Sequence, residues 1–217
     1  KTVQAKEIFS QIVDSSHYCG EPGLLFMDRF DQDNPVPQIK YQTVAPCAEI
    51  AMAPGEVCQF SYINLAKIVR REDEQIVFDF EQLSHVAKQL VRILDNSVEI
   101  SAKNAVNDSN IILSKRRIGI GVCGAADLLI ELGLQYDSSL ARDLMADIIA
   151  VINYYSKEAS VALAQFRGAF PLFNESRYKD KDWTMRKGQK PTEHVNLLMW
   201  EKLWQKISSV GLRNSET

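Results

Sequence analysis

The chain has 217 residues, with 25 Lys plus Arg against 28 Asp plus Glu and a net charge of −3. That balance excludes a general electrostatic grip on nucleic acid, and 46% hydrophobic with 24% charged residues excludes the signatures of disorder and of a coiled coil. No run reaches the ~18 apolar residues of a membrane helix, and the N-terminal stretch lacks the apolar block of a signal peptide; the reading is a cytoplasmic chain with neither nucleic acid nor a membrane as partner.

In chain order, Val3, Ile8, Ile12 and Val13 fall near one face and predict a helix over 2–16, ended by the turn Gly20-Glu21-Pro22-Gly23. The apolar run Leu24 to Met27 leads into a polar segment, Asp31 to Pro37, whose Asn34-Pro35 step favours a turn. From Ile39 to Leu65 the chain is rich in Tyr, Thr, Val, Ile and Phe and is broken at Pro46 and Pro54-Gly55. This predicts extended segments joined by loops. Asp79 caps a predicted helix with Phe80, Leu83, Ala87, Leu90, Val91, Leu94 and Val98 at three- and four-residue steps.

Arg117 to Val122 reads as a short strand, and Gly124 to Leu132 as a helix closed by Gly133. Asp137 or Ser138 opens a long helix ending at Gly168, and a last helix carrying Val195, Leu198, Met199, Leu203, Ile207 and Val210 ends at Gly211. Asn174 to Lys190, polar and basic, reads as an exposed loop. Strand and helix alternate while helix dominates, so the fold class is α/β, helix-rich.

Four cysteines, Cys19, Cys47, Cys58 and Cys123, contain no Cys-x-x-Cys pair. A zinc ribbon or a disulfide framework is disfavoured, leaving buried thiols or catalytic ones. Cys47 and Glu49 in Pro46-Cys47-Ala48-Glu49 stand two residues apart. In extended chain they point the same way and could flank one substrate atom. For a bare Cys-x-Glu the commoner outcome is a buried, inert thiol beside a surface carboxylate. A Cys-His hydrolase would draw on His17, His85 or His194, none of which sits in a recognisable signature. Gly119-x-Gly121-x-x-Gly124 lies between strand and helix, but the acidic residue at the expected distance, Asp143, falls inside a helix. A packing turn is the better reading than a dinucleotide site.

Six blocks then acquire a meaning together. Gly20-Glu21-Pro22-Gly23-Leu24-Leu25-Phe26-Met27-Asp28-Arg29, Asp33-Asn34-Pro35-Val36-Pro37, Pro46-Cys47-Ala48-Glu49, Ile63-Asn64-Leu65-Ala66, Arg116-Arg117-Ile118-Gly119-Ile120-Gly121-Val122 with Ala126-Asp127-Leu128-Leu129, and Gly211-Leu212-Arg213-Asn214-Ser215 resemble, in family order, the barrel domain of the ribonucleotide reductase large chain. The resemblance implies part of a ten-stranded α/β barrel with an internal finger loop, residues 1–217 forming an internal fragment with both flanks missing. It also implies that Cys47 carries a thiyl radical, that Glu49 takes a proton from the substrate 3′-hydroxyl, and that Cys58 is one of two cysteines that reduce the 2′ carbon.

The 11 residues from Cys47 to Cys58 resemble the adenosylcobalamin-dependent branch more than the branch served by a di-iron small subunit. Expected partners are a ribonucleotide, the remainder of the large chain, an external thiol reductant and a second copy in a homodimer. Ala45 departs from the family, which has Asn there to hydrogen-bond the ribose. Cys19 and Cys123 are read as structural.

Overall fold

The computed structural model describes residues 2–104, 109–186 and 192–215. Its first helix, α1 (Ala5–Cys19), ends where Gly20 takes a left-handed conformation (φ 79°) and donates its N–H to the Ser16 carbonyl. No residue of α1 is buried. A short helix, α2 (Met27–Gln32), follows. The turn expected at Asn34-Pro35 is built by Asn34, whose Oδ1 accepts from the Val36 N–H and whose amide donates to the Ile39 carbonyl.

The extended region contains β1 (Thr43–Val44), β2 (Ala51–Met52) and β3 (Gln59–Asn64). β1 and β2 pair antiparallel, Val44 opposite Ala51. A second hairpin, β4 (Val69–Glu72) with β5 (Gln75–Phe78), turns at Asp73 with φ 52°. Its strands, VRRE and QIVF, carry no apolar–polar alternation to mark them in sequence. The long helix α3 (Phe80–Lys103) begins at Asp79, whose side chain accepts the Gln82 N–H, and buries Leu83, Ala87, Val91, Leu94 and Val98. A short helix, α4 (Ser109–Lys115), leads into β6 (Ile118–Cys123), which pairs in parallel with β3 over six residues. Such a parallel pair needs a crossover, and α3 and α4 supply it.

After β6 come α5 (Ala125–Glu131) and the 29-residue α6 (Ser139–Arg167), capped by the Ser138 side chain on the Ala141 N–H. α6 packs along α3 and then against the last helix. The core runs between them, with Leu83, Ile148, Val151, Ile152, Trp200, Leu203 and Ile207 buried beside Leu65 and Ile63.

The barrel expectation is met in part, as a helix-rich α/β fold, and three further expectations need correcting. The described residues hold six strands in three two-stranded pairs; they form no closed barrel, because each pair keeps unpaired edges and closure needs further strands. The stretch 174–186 is not an exposed loop: two 3₁₀ turns and α7 (Lys181–Arg186) tuck Tyr178, Trp183 and Thr184 into the interior, aromatic burial outweighing the surrounding charge. Residues 187–190 of that stretch lie outside the described residues. The last helix, α8 (Leu197–Val210), starts later than its apolar pattern suggested, at an Asn196 cap on the Met199 N–H. His194 therefore precedes it and stacks on Phe80 at 3.6 Å, and Leu198 is exposed while Trp200 is buried. Finally, Cys19, Cys47 and Cys123 are exposed and Cys58 is intermediate, so none is the fully buried thiol expected of a structural cysteine.

Candidate active site

The candidate site is the loop 45–50, held between β1 and β2. Its neck is closed by the Ala45 N–H donating to the Ile50 carbonyl at 2.9 Å. Inside it the Ala48 N–H reaches the Ala45 carbonyl at 2.8 Å, so Ala45-Pro46-Cys47-Ala48 is a tight turn. Pro46 presets the first corner, and Ala48 sits at φ 63°, a left-handed conformation that a residue with a Cβ adopts only under constraint. Cys47 is exposed on this turn. Among the four residues singled out from sequence, Glu49 lines a cavity of about 450 Å³ with Tyr41, Arg117, Asn153 and Trp183. Cys47, Ala45 and Cys58 are not among the residues lining it.

Beneath the hairpin lies a buried charge cluster that the sequence reading missed. Glu56 forms ion pairs with Lys115 Nζ at 2.7 Å and Arg117 Nη1 at 3.3 Å, the three side chains being 1–3% exposed. Both cations stand near the Tyr41 ring, 5.1 and 5.2 Å from its centroid. Burial lowers the Lys115 pKa against the opposing pull of Glu56, and burial raises that of Tyr41. In sequence the only trace is the run Lys115-Arg116-Arg117 directly before an apolar strand, which does not say which cation turns inward or what it meets. Cys58 sits at the entrance to β3, its thiol 3.9 Å from the Gln59 carbonyl, and it is among the groups that act on the buried Lys115.

Gly121 and Gly124 explain the glycine pattern of β6. A Cβ on Gly121 would lie 2.7 Å from the Tyr62 ring, and one on Gly124 would lie 2.3 Å from Asn64 Oδ1. Both are close-approach positions between β6 and β3, as a packing turn requires.

The motif-bearing loop, the β3–β6 pair and the C-terminal Arg213-Asn214-Ser215 segment fall within one family description: the model of the ribonucleotide reductase barrel domain matches residues 1–217. The chain belongs to the ribonucleotide reductase barrel-domain family. It is 37% identical over 175 residues to a vitamin B12-dependent ribonucleoside-diphosphate reductase of Mycobacterium tuberculosis, covering 80% of this chain and 25% of the relative. To the enzyme of the same description from Thermoplasma acidophilum it is 33% identical over 187 residues, covering 86% and 24%. To the ribonucleoside-diphosphate reductase subunit alpha of Synechocystis sp. it is 30% identical over 232 residues, covering 99% and 27%. This barrel-domain chain thus spans about a quarter of the length of the curated relatives it matches.

Proposed function

We propose that this chain is part of the catalytic barrel, ten-stranded when complete, of a ribonucleotide reductase large chain that converts ribonucleotides to deoxyribonucleotides. The observation that carries the reading is the loop 45–50: the family match runs through it, and it presents Cys47 on a turn between two paired strands with Glu49 two residues on. In this reading Cys47 is the hydrogen-atom relay and Glu49 the base that takes the 3′-hydroxyl proton, a role typically contributing ~10²–10⁴ in rate. Cys58 and a cysteine elsewhere in the complete polypeptide supply two electrons and two protons. The 2′-hydroxyl leaves as water, a hydrogen takes its place on carbon, and the two thiols finish as a disulfide. An external dithiol then restores them, which suits a reducing cytoplasm.

Adenosylcobalamin is the proposed radical source, supported by the naming of the relatives at 37% and 33% identity as vitamin B12-dependent; a di-iron small subunit is the alternative. The cavity beside Glu49 is about 450 Å³, within the range that drug-sized ligands fill and too small for a corrin with its nucleotide arm. The described residues that line this cavity therefore do not fit that group.

A second reading is favoured by Ala45. Its side chain has no donor for a ribose hydroxyl, which fits a scaffold that has lost catalysis, or a split piece acting only by assembly with another chain. The two are separated in the complete polypeptide by assaying ribonucleoside diphosphates and triphosphates with adenosylcobalamin and a dithiol. Reduction in the parent, abolished by Cys47→Ser without loss of folding, supports the enzyme. Residual turnover within about tenfold of the parent would exclude Cys47 as relay, since a serine O–H is far harder to convert to a radical while the volume changes little. Ala45→Asn should tighten substrate binding by roughly 1–3 kcal/mol if the ribose hydroxyl lies there; a scaffold stays inactive with either residue.

A further inference from the structure

We propose that Glu56 and Arg117 are positioning residues that fix the Cys47 loop against the core, each holding one backbone group at the foot of the loop hairpin. The Arg117 guanidinium donates to the Ala51 carbonyl at 2.5 Å, and Ala51 is the β2 residue paired with Val44 next to the loop. The Glu56 carboxylate accepts the Ala53 N–H at 2.8 Å, while its own N–H donates to the Ala53 carbonyl at 3.2 Å. Between them Pro54-Gly55, with Gly55 at φ 73°, makes the turn that returns the carboxylate to the strand. The two side chains are themselves joined at 3.3 Å, so both grips belong to one unit.

That unit is anchored to the core on its other side. Arg116, between Lys115 and Arg117, has φ 48° and sends its side chain to Asp95 and Glu99 of α3 at 2.7 and 2.6 Å. Lys115 and Arg117 point instead to Glu56. Arg117 and Arg116, adjacent in sequence, thus link the loop hairpin to α3 across the start of β6, while Lys115 only balances the charge of Glu56. Stability alone does not call for this arrangement, because buried ion pairs are commonly matched by apolar residues of similar volume. What charges add here is direction: each bonds a particular backbone atom. Lys115 is the internal control, since it neutralises Glu56 but holds no backbone group of the hairpin among the bonds described.

The catalytic consequence rests on Cys47 being the relay; the positional claim does not. The test uses the complete polypeptide and three variants: Arg117→Met, the double variant Glu56→Met with Lys115→Met, and Lys115→Met alone. The iodoacetamide labelling rate of Cys47, divided by that of Cys19 in the same molecule, reads the loop without any need for turnover. Release of either grip should change that ratio by roughly threefold or more through local opening, while Lys115→Met leaves it near the parent value. In an active enzyme the first two variants should lower kcat by about 10–100-fold, with KM within about twofold, since substrate contacts are untouched. The double variant keeps the test open if Arg117→Met fails to fold. An unchanged ratio in folded grip-releasing variants, or an equal change in Lys115→Met, overturns the proposal. A parent that reduces no ribonucleotide sinks the functional reading instead and leaves the labelling result to decide this one.

Discussion

Asp95 lies fully buried on α3, and its carboxylate accepts from Arg116 at 2.7 and 3.1 Å, from Arg167 at 2.7 Å and from Asn214 at 2.9 Å. One residue therefore ties α3 to the start of β6, the end of α6 and the C-terminal segment. Burial pushes its pKa up, but the hydrogen bond and charge of Arg116, then Asn214 and Arg167, outweigh burial and leave it below the ordinary carboxylate value. A carboxylate with a lowered folded pKa adds stability above its unfolded pKa of ~3.9, and that stability is lost as pH falls through the lower folded value. Removing the charge leaves clustered guanidinium groups uncompensated, so Asp95→Asn should destabilise by about 3–5 kcal/mol. Hydrogen exchange of the α3 and α6 amides checks this. Protection relative to the intrinsic exchange rate should be lower in the variant at neutral pH, and its further loss below pH ~4 should be smaller than in the parent; parallel curves of protection against pH would refute the assignment.

At the scale of elements, the β6–α5 junction offers a clean comparison. Gly124 (φ 69°) and Gly133 (φ 67°) are both left-handed, but a Cβ on Gly133 meets nothing within 4 Å while one on Gly124 would strike Asn64 Oδ1. That oxygen accepts the Ala66 N–H at 3.2 Å and so caps the 3₁₀ turn after β3. Gly133→Ala should cost only the left-handed penalty of about 1–2 kcal/mol. Gly124→Ala should exceed it by roughly 0.5–2 kcal/mol, because the cap must also move. Denaturant midpoints of the two variants measure the difference, and equal midpoints would mean that Asn64 yields without cost. The same junction shows what could be read locally: caps at Asp79 and Ser138 and stops at Gly20, Gly133 and Gly211 were visible in sequence because each acts on its own neighbours. The β4–β5 hairpin and α4 were not, because elements of four to seven residues take their shape from what they pack against.

Across the whole chain, α1 and the segment after it leave apolar side chains in solvent: Phe9 is 62% exposed, Leu24 57% and Phe26 57%. An exposed apolar surface of this kind favours association with another protein surface. Residues 1–217 expressed alone should self-associate through it and through the unpaired strand edges. Sedimentation velocity over a concentration series would show the shift, and Phe9→Glu with Phe26→Glu should reduce it. A concentration-independent monomer in the parent would contradict the expectation.

The sequence by itself determined the helix-rich α/β class, the long helices with their caps, the packing glycines of β6 and the family, because these depend on periodicity, local hydrogen bonding and ordered motifs. It also indicated a loop around Cys47, since Pro46 interrupts two β-prone stretches. Only the tertiary structure decided that Lys115 and Arg117 turn inward to Glu56, that Asp95 gathers residues as distant in sequence as Asn214, and that Tyr178 and Trp183 leave a basic stretch for the interior. Those outcomes depend on partners far along the chain. A charge is stable in the interior only where a distant counter-charge and backbone group meet it, and no local pattern records that meeting.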